Sequence, residues 1–76
     1  MSIASLKARV RDIPDFPKKG ILFRDITPLL KEPDAFREIV ARLARAVKRS
    51  GADLVVGIES RGFLFGAPVA TKLGIG

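Results

Sequence analysis

Apolar residues recur along this chain with two different periods, and the changes of period mark out its elements. Ile3, Leu6, Val10 and Ile13 fall at helical spacing with Lys7, Arg9 and Arg11 opposite them. Ser2 is a suitable N-cap, so a helix is expected over residues 2–13. Pro14 ends it, because the residue before a proline is pushed out of the α region. Residues 14–20 are rich in turn formers. Residues 21–26 read as a short extended piece centred on Phe23 and closed by Thr27-Pro28. The longest periodic stretch covers residues 33–49. There Pro33 suits a first helical position, and Asp34 places negative charge at the positive end of the helix dipole. Phe36, Ile39, Val40, Leu43 and Val47 form its apolar stripe; Glu38, Arg42, Arg45 and Arg49 form the opposite face, which reads as solvated surface. Ser50-Gly51 ends this helix.

The period then changes again. Leu54-Val55-Val56-Gly57-Ile58 is an uninterrupted apolar run between turn signals, the pattern of a strand buried on both faces in a parallel sheet. It breaks into Glu59-Ser60-Arg61-Gly62, and a second helix is expected from about residue 63 to residue 72, stopped by Leu73-Gly74. In open parallel sheets, ligands bind beyond the carboxyl ends of the strands, where such a loop lies. The loop offers backbone N–H groups, a hydroxyl, a guanidinium and a glycine that permits close approach. Those parts suit a phosphate or pyrophosphate at a helix N-terminus. Ordinary strand-to-helix turns use the same residue types, and the full glycine pattern of a Walker or Rossmann loop is absent. Spacing alone therefore leaves both readings open. A parallel strand needs a partner reached by a crossover, and the returning strand is not here. The chain is expected to be the front part of a longer domain.

Composition narrows the chemistry. With 76 residues the chain is at most one small domain, and 47% apolar content argues for a globular fold. It has no cysteine and no histidine, which excludes disulfides, a His-based triad and an imidazole metal site within these residues. No apolar stretch approaches the ~20 residues that span a bilayer, and no signal-peptide core is evident, so a cytoplasmic setting is expected. The net charge is +6, yet the positive residues are spread along the chain. No helix-turn-helix spacing, RNA-binding aromatic signature, Trp or Tyr accompanies them, so neither nucleic acid nor a membrane is expected as a partner. A diffuse basic surface also suits a polyanionic small substrate.

Three segments together resemble the adenine phosphoribosyltransferases, within the type I phosphoribosyltransferase family. They are Pro14-Asp15-Phe16-Pro17, then Gly20-Ile21-Leu22-Phe23-Arg24-Asp25-Ile26-Thr27-Pro28-Leu29-Leu30, then Gly57-Ile58-Glu59-Ser60-Arg61-Gly62-Phe63 with Gly66. The resemblance covers nearly the whole chain. Its second segment is specific to the adenine enzymes, and its third resembles the pyrophosphate loop common to the wider family. The implied fold class is α/β, the first part of a type I phosphoribosyltransferase fold, with a parallel sheet flanked by helices. Residues 1–33 would supply the N-terminal helix and base-side segment, and residues 34–76 the helix–strand–loop–helix of the core.

The resemblance implies transfer of 5-phosphoribosyl from phosphoribosyl pyrophosphate to adenine, giving AMP and pyrophosphate, with Mg2+ accompanying the substrate, and it suggests a homodimer. It assigns Glu59, Ser60, Arg61 and Gly62 to pyrophosphate and Leu22, Phe23 and Arg24 to adenine. It also implies a cis peptide between Glu59 and Ser60. Local geometry agrees for the base: in an extended segment the Leu22 C=O and the Arg24 N–H point the same way and match the donor–acceptor edge of adenine. Phe23 would pack on the ring face, although a lone Phe there equally suits a core. The Arg24 side chain suits an ion pair with Asp25 or another carboxylate as well as a base contact. The family's paired acids with their Thr-Gly-rich loop, its flexible catalytic loop and its acid near the base nitrogen have no counterpart here. No catalytic residue or metal ligand is assigned, and the 76 residues alone are expected to be inactive and not stably folded. Two other readings stand beside this one: a nucleotide-sensing regulator on the same fold, and a phosphoribosyltransferase for an oxo-purine.

Overall fold

The computed structural model describes residues 1–76. They divide into two compact units, Met1–Phe36 and Arg37–Gly76.

In the first unit, α1 (Ile3–Lys7) is capped by Ser2, whose hydroxyl accepts from the Ser5 N–H at 3.0 Å. The expected helix over 2–13 is corrected here, because it ends five residues in and Arg11–Ile13 forms a strand, β1. Strand β1 pairs antiparallel with β2 (Phe23–Asp25), in the register Arg11↔Asp25, Asp12↔Arg24 and Ile13↔Phe23. Two causes override the helical spacing. Pro14 holds Ile13 in the extended region. The pairing also sets an arginine opposite an aspartate at two successive positions, a favourable cross-strand arrangement.

The connection between the strands turns through Asp15 (φ 53°) and Gly20 (φ 88°), with the Gly20 N–H donating to Asp15 Oδ1 at 2.9 Å. Thr27-Pro28 does not close this region; it opens a short helix, α2 (Thr27–Lys31), with proline in its first turn. Arg9 turns inward rather than lying on a polar helix face. Its Nε meets Glu32 at 2.6 Å, and its Nη1 donates to the Ser5 carbonyl and hydroxyl, both at 2.7 Å. Leu6, Leu29, Ala35 and the side chain of Asp25 are buried.

Helix α3 (Pro33–Ser50) matches its expected bounds, with Asp34 in its first turn and Lys48 and Arg49 in its last. Its buried residues are the alanines Ala35 and Ala44. The stripe Phe36, Ile39, Val40 and Val47 is half-buried, and Leu43 is exposed. Glu38 binds Arg42 Nε at 2.7 Å one turn on, an i,i+4 pair. Gly51 (φ 76°) follows the helix in the left-handed region, which suits a residue without Cβ.

Residues 54–58 are corrected in one respect. They belong to no ladder, and Leu54, Val56 and Ile58 are 64%, 78% and 79% exposed. A strand is defined by its partners. This run makes one backbone hydrogen bond of that kind, Val55 N–H to the Gly76 carbonyl at 2.8 Å. Helix α4 (Arg61–Leu73) starts two residues earlier than expected and continues through Pro68. It ends at Gly74 (φ 70°), where the Gly74 and Ile75 N–H groups close on the Thr71 and Ala70 carbonyls. Val69 is its buried residue. No helix is long and apolar enough to cross a membrane.

Candidate functional site

The loop that leaves residues 54–58 enters α4 without a conventional cap. Ser60 occupies the N-cap position, yet its side chain makes no capping hydrogen bond, so the hydroxyl is not committed to the helix. The first turn of α4 carries no acid, so no carboxylate within that turn offsets the positive end of the helix dipole. Glu59, Ser60 and Arg61 are exposed and Gly62 half-buried, all within four residues. The Glu59–Ser60 peptide is cis.

Two loop amides are already engaged: Gly62 N–H donates to the Ile58 carbonyl at 3.0 Å, and Phe63 N–H to the Ser60 carbonyl at 3.2 Å. Gly62 therefore supplies room rather than a donor. That room is tight, because a Cβ on Gly57 would lie 2.9 Å from the Gly62 carbonyl oxygen.

The second expected group lies in the first unit. Leu22 is exposed and Phe23 half-buried at the start of β2. The Phe23 ring meets Phe16 edge-on, with centroids 5.2 Å apart and planes at 69°. The Arg24 side chain is drawn to Asp12, its partner in register, at 2.7 Å. This settles its ion-pair partner as Asp12 rather than Asp25.

Asp25 has a different task, one that the sequence reading did not assign. Its Oδ1 accepts from the Thr27 N–H at 2.9 Å, and its Oδ2 accepts from the Thr27 hydroxyl at 3.0 Å and from Arg11. The Thr27 N–H bond lowers the Asp25 pKa most, followed by the Thr27 hydroxyl; Arg11 lowers it further, and burial opposes them. The signal was present as Asp-x-Thr-Pro ahead of two leucines, an acidic acceptor two residues before a helical N–H. Asp25 thus ties β1, β2 and the start of α2 together beside Leu22, Phe23 and Arg24.

No family model matches the chain. Individual relatives do. The adenine phosphoribosyltransferase of Anaeromyxobacter dehalogenans is 54% identical over 72 residues, covering 95% of this chain and 42% of its own length. That of Acaryochloris marina is 58% identical over 71 residues, 93% of this chain and 42% of its own length. Among solved structures, adenine phosphoribosyltransferase from Thermoanaerobacter pseudethanolicus superposes with a TM-score of 0.93 at 51% identity, over 99% of this chain and 45% of that one. The Giardia lamblia enzyme complexed with 9-deazaadenine superposes with a TM-score of 0.90 at 43% identity, over 100% of this chain and 42% of that one. The chain thus spans less than half the length of the relatives it matches. In sequence and in fold alike, it is similar to just under half of an adenine phosphoribosyltransferase, and that part has the type I phosphoribosyltransferase fold.

Proposed function

We propose that the protein to which these residues belong transfers a 5-phosphoribosyl group from phosphoribosyl pyrophosphate to adenine, a reaction of purine salvage. The observation that supports this most is similarity above 50% identity across 93–95% of the chain, a span that takes in both candidate segments. In the reaction, a ring nitrogen of adenine bonds to carbon 1 of the ribose as the bond to pyrophosphate breaks. Pyrophosphate leaves with the electron pair, and the nitrogen loses its proton. The ribose passes through an oxocarbenium-like state, so catalysis consists mainly of positioning and of stabilising charge on the leaving group.

In this reading, Arg61 makes charge-assisted bonds to pyrophosphate, the Ser60 hydroxyl binds a further oxygen, and the N-terminus of α4 adds its dipole. Glu59 and Gly62 shape the loop. Leu22 C=O accepts from the adenine amino group, Arg24 N–H donates to the neighbouring ring nitrogen, and Phe23 packs on the base.

Mg2+ enters as part of the substrate complex. No three Asp or Glu residues come together to hold it, and Asp12, Asp25, Glu32 and Glu38 are all paired with arginines. These residues therefore do not fit a protein-held metal, and no step is assigned to one. A homodimer and a cytoplasmic setting complete the proposal on the strength of the resemblance.

Steady-state assays of the complete enzyme with adenine, hypoxanthine and guanine test the reading. Oxo-purines invert part of the hydrogen-bonding edge and leave buried polar groups unpaired, so discrimination of several powers of ten is expected. Comparable turnover of hypoxanthine would favour an oxo-purine enzyme. Binding of both ligands without AMP formation would favour a sensor.

A further inference from the structure

We infer that Gly57 is a positioning residue for the 59–62 loop: its missing side chain lets the end of the extended run lie directly against the backbone of Gly62. The inference rests on the pyrophosphate reading of that loop. A Cβ on Gly57 would stand 2.9 Å from the Gly62 carbonyl oxygen, 3.2 Å from its carbonyl carbon and 3.4 Å from the Phe63 nitrogen. All three obstacles are backbone atoms, so no side-chain rotation relieves them.

The requirement is spatial and not conformational. The glycines with positive φ are Gly20, Gly51 and Gly74, and Gly57 is not among them. From the other side, a Cβ on Gly62 would lie 3.3 Å from the Gly57 carbonyl carbon. The Gly62 N–H bond to Ile58 holds the two backbones at this separation. Any side chain at residue 57 must push the Gly62 backbone away, and Ser60 and Arg61 lie in the loop that Gly62 closes. Gly66 is the natural contrast. It also faces Gly57, but its Cβ would sit 3.5 Å from Gly57 Cα, 3.7 Å from Gly57 N and 3.7 Å from Val55 Cγ1, which is ordinary contact.

The test is steady-state kinetics of the complete enzyme carrying Gly57→Ala, Gly62→Ala or Gly66→Ala, with circular dichroism of each. Displacing binding groups by a fraction of an ångström should raise KM for phosphoribosyl pyrophosphate about tenfold in Gly57→Ala. Gly62→Ala should show the same split to a smaller degree, with KM for adenine within about twofold in both variants. Gly66→Ala should leave both constants within about twofold of the starting enzyme. The inference is overturned by an unchanged phosphoribosyl pyrophosphate KM in folded Gly57→Ala, by both substrates weakening together, or by an equal effect from Gly66→Ala. A Gly57→Ala protein that does not fold also overturns it, since the damage is assigned to the loop. An unsubstituted enzyme that neither makes AMP nor binds pyrophosphate refutes the underlying reading instead.

Discussion

Replacing Arg61 by alanine should weaken use of phosphoribosyl pyrophosphate while leaving the fold intact and adenine binding nearly unchanged. Arg61 is the first residue of α4, exposed, in a turn without acids and next to an uncommitted Ser60 hydroxyl. A cation at a helix N-terminus opposes the dipole, at a cost of about 0.3–1 kcal/mol. Alanine is also the better helix former. These two helix terms on their own favour alanine.

With ligand the sign reverses. Removing one charge-assisted contact to pyrophosphate costs about 1.5–3 kcal/mol, which corresponds to roughly one to two powers of ten in affinity. The proposed adenine contacts come from residues 22–24 and not from Arg61, so adenine affinity should stay within about threefold. Separate titrations of the two substrates on the complete enzyme, with a thermal melt of each protein, read all three quantities. Unchanged phosphoribosyl pyrophosphate affinity in a folded variant would make Arg61 a structural residue. Equal weakening of both substrates would refute the division of labour between the two segments.

Two further outcomes follow from the first unit. The folded-state pKa of Asp25 is depressed, so its stabilising contribution is fully present above the ordinary carboxylate range and is lost as pH falls through the folded value. Thermal melts between about pH 6 and pH 2 should show a steeper acid loss for the unsubstituted protein than for Asp25→Asn below about pH 4; parallel curves would contradict the assignment. Arg24→Ala removes a pair with Asp12 in which both side chains are mostly exposed, so it should cost less than about 1 kcal/mol in a denaturant titration. It should also change KM for adenine only a few-fold, because the proposed contact is through the backbone. A loss of a hundredfold would assign the side chain itself to the base.

The residues alone determined what depends on contiguous sequence. Helix α3 was legible because eighteen residues keep one period between Pro33 and Ser50, with a proline start and a left-handed glycine after the stop. The end of α4 at Gly74 was legible for the same reason. The loop and base-side segments are short runs whose residue types carry their chemistry in order, so their resemblance to a family could be read without coordinates.

Tertiary structure decided whatever needs a partner distant in sequence. Strand β1 continues the helical spacing of Ile3 and Leu6; Pro14 holds Ile13 extended, and pairing with Phe23–Asp25 brings Arg11 and Asp12 into the strand. The same register determines that Arg24 meets Asp12 and that Asp25 meets Arg11 and the start of α2. Leu43 looks like core by its period, yet it is exposed, and the alanines at residues 35 and 44 are the buried residues of α3. Gly57 could be read as part of an apolar run, but not as a residue whose Cβ would stand 2.9 Å from the Gly62 carbonyl oxygen. Sequence spacing records which residues are neighbours along the chain, and steric exclusion acts between those that folding brings together.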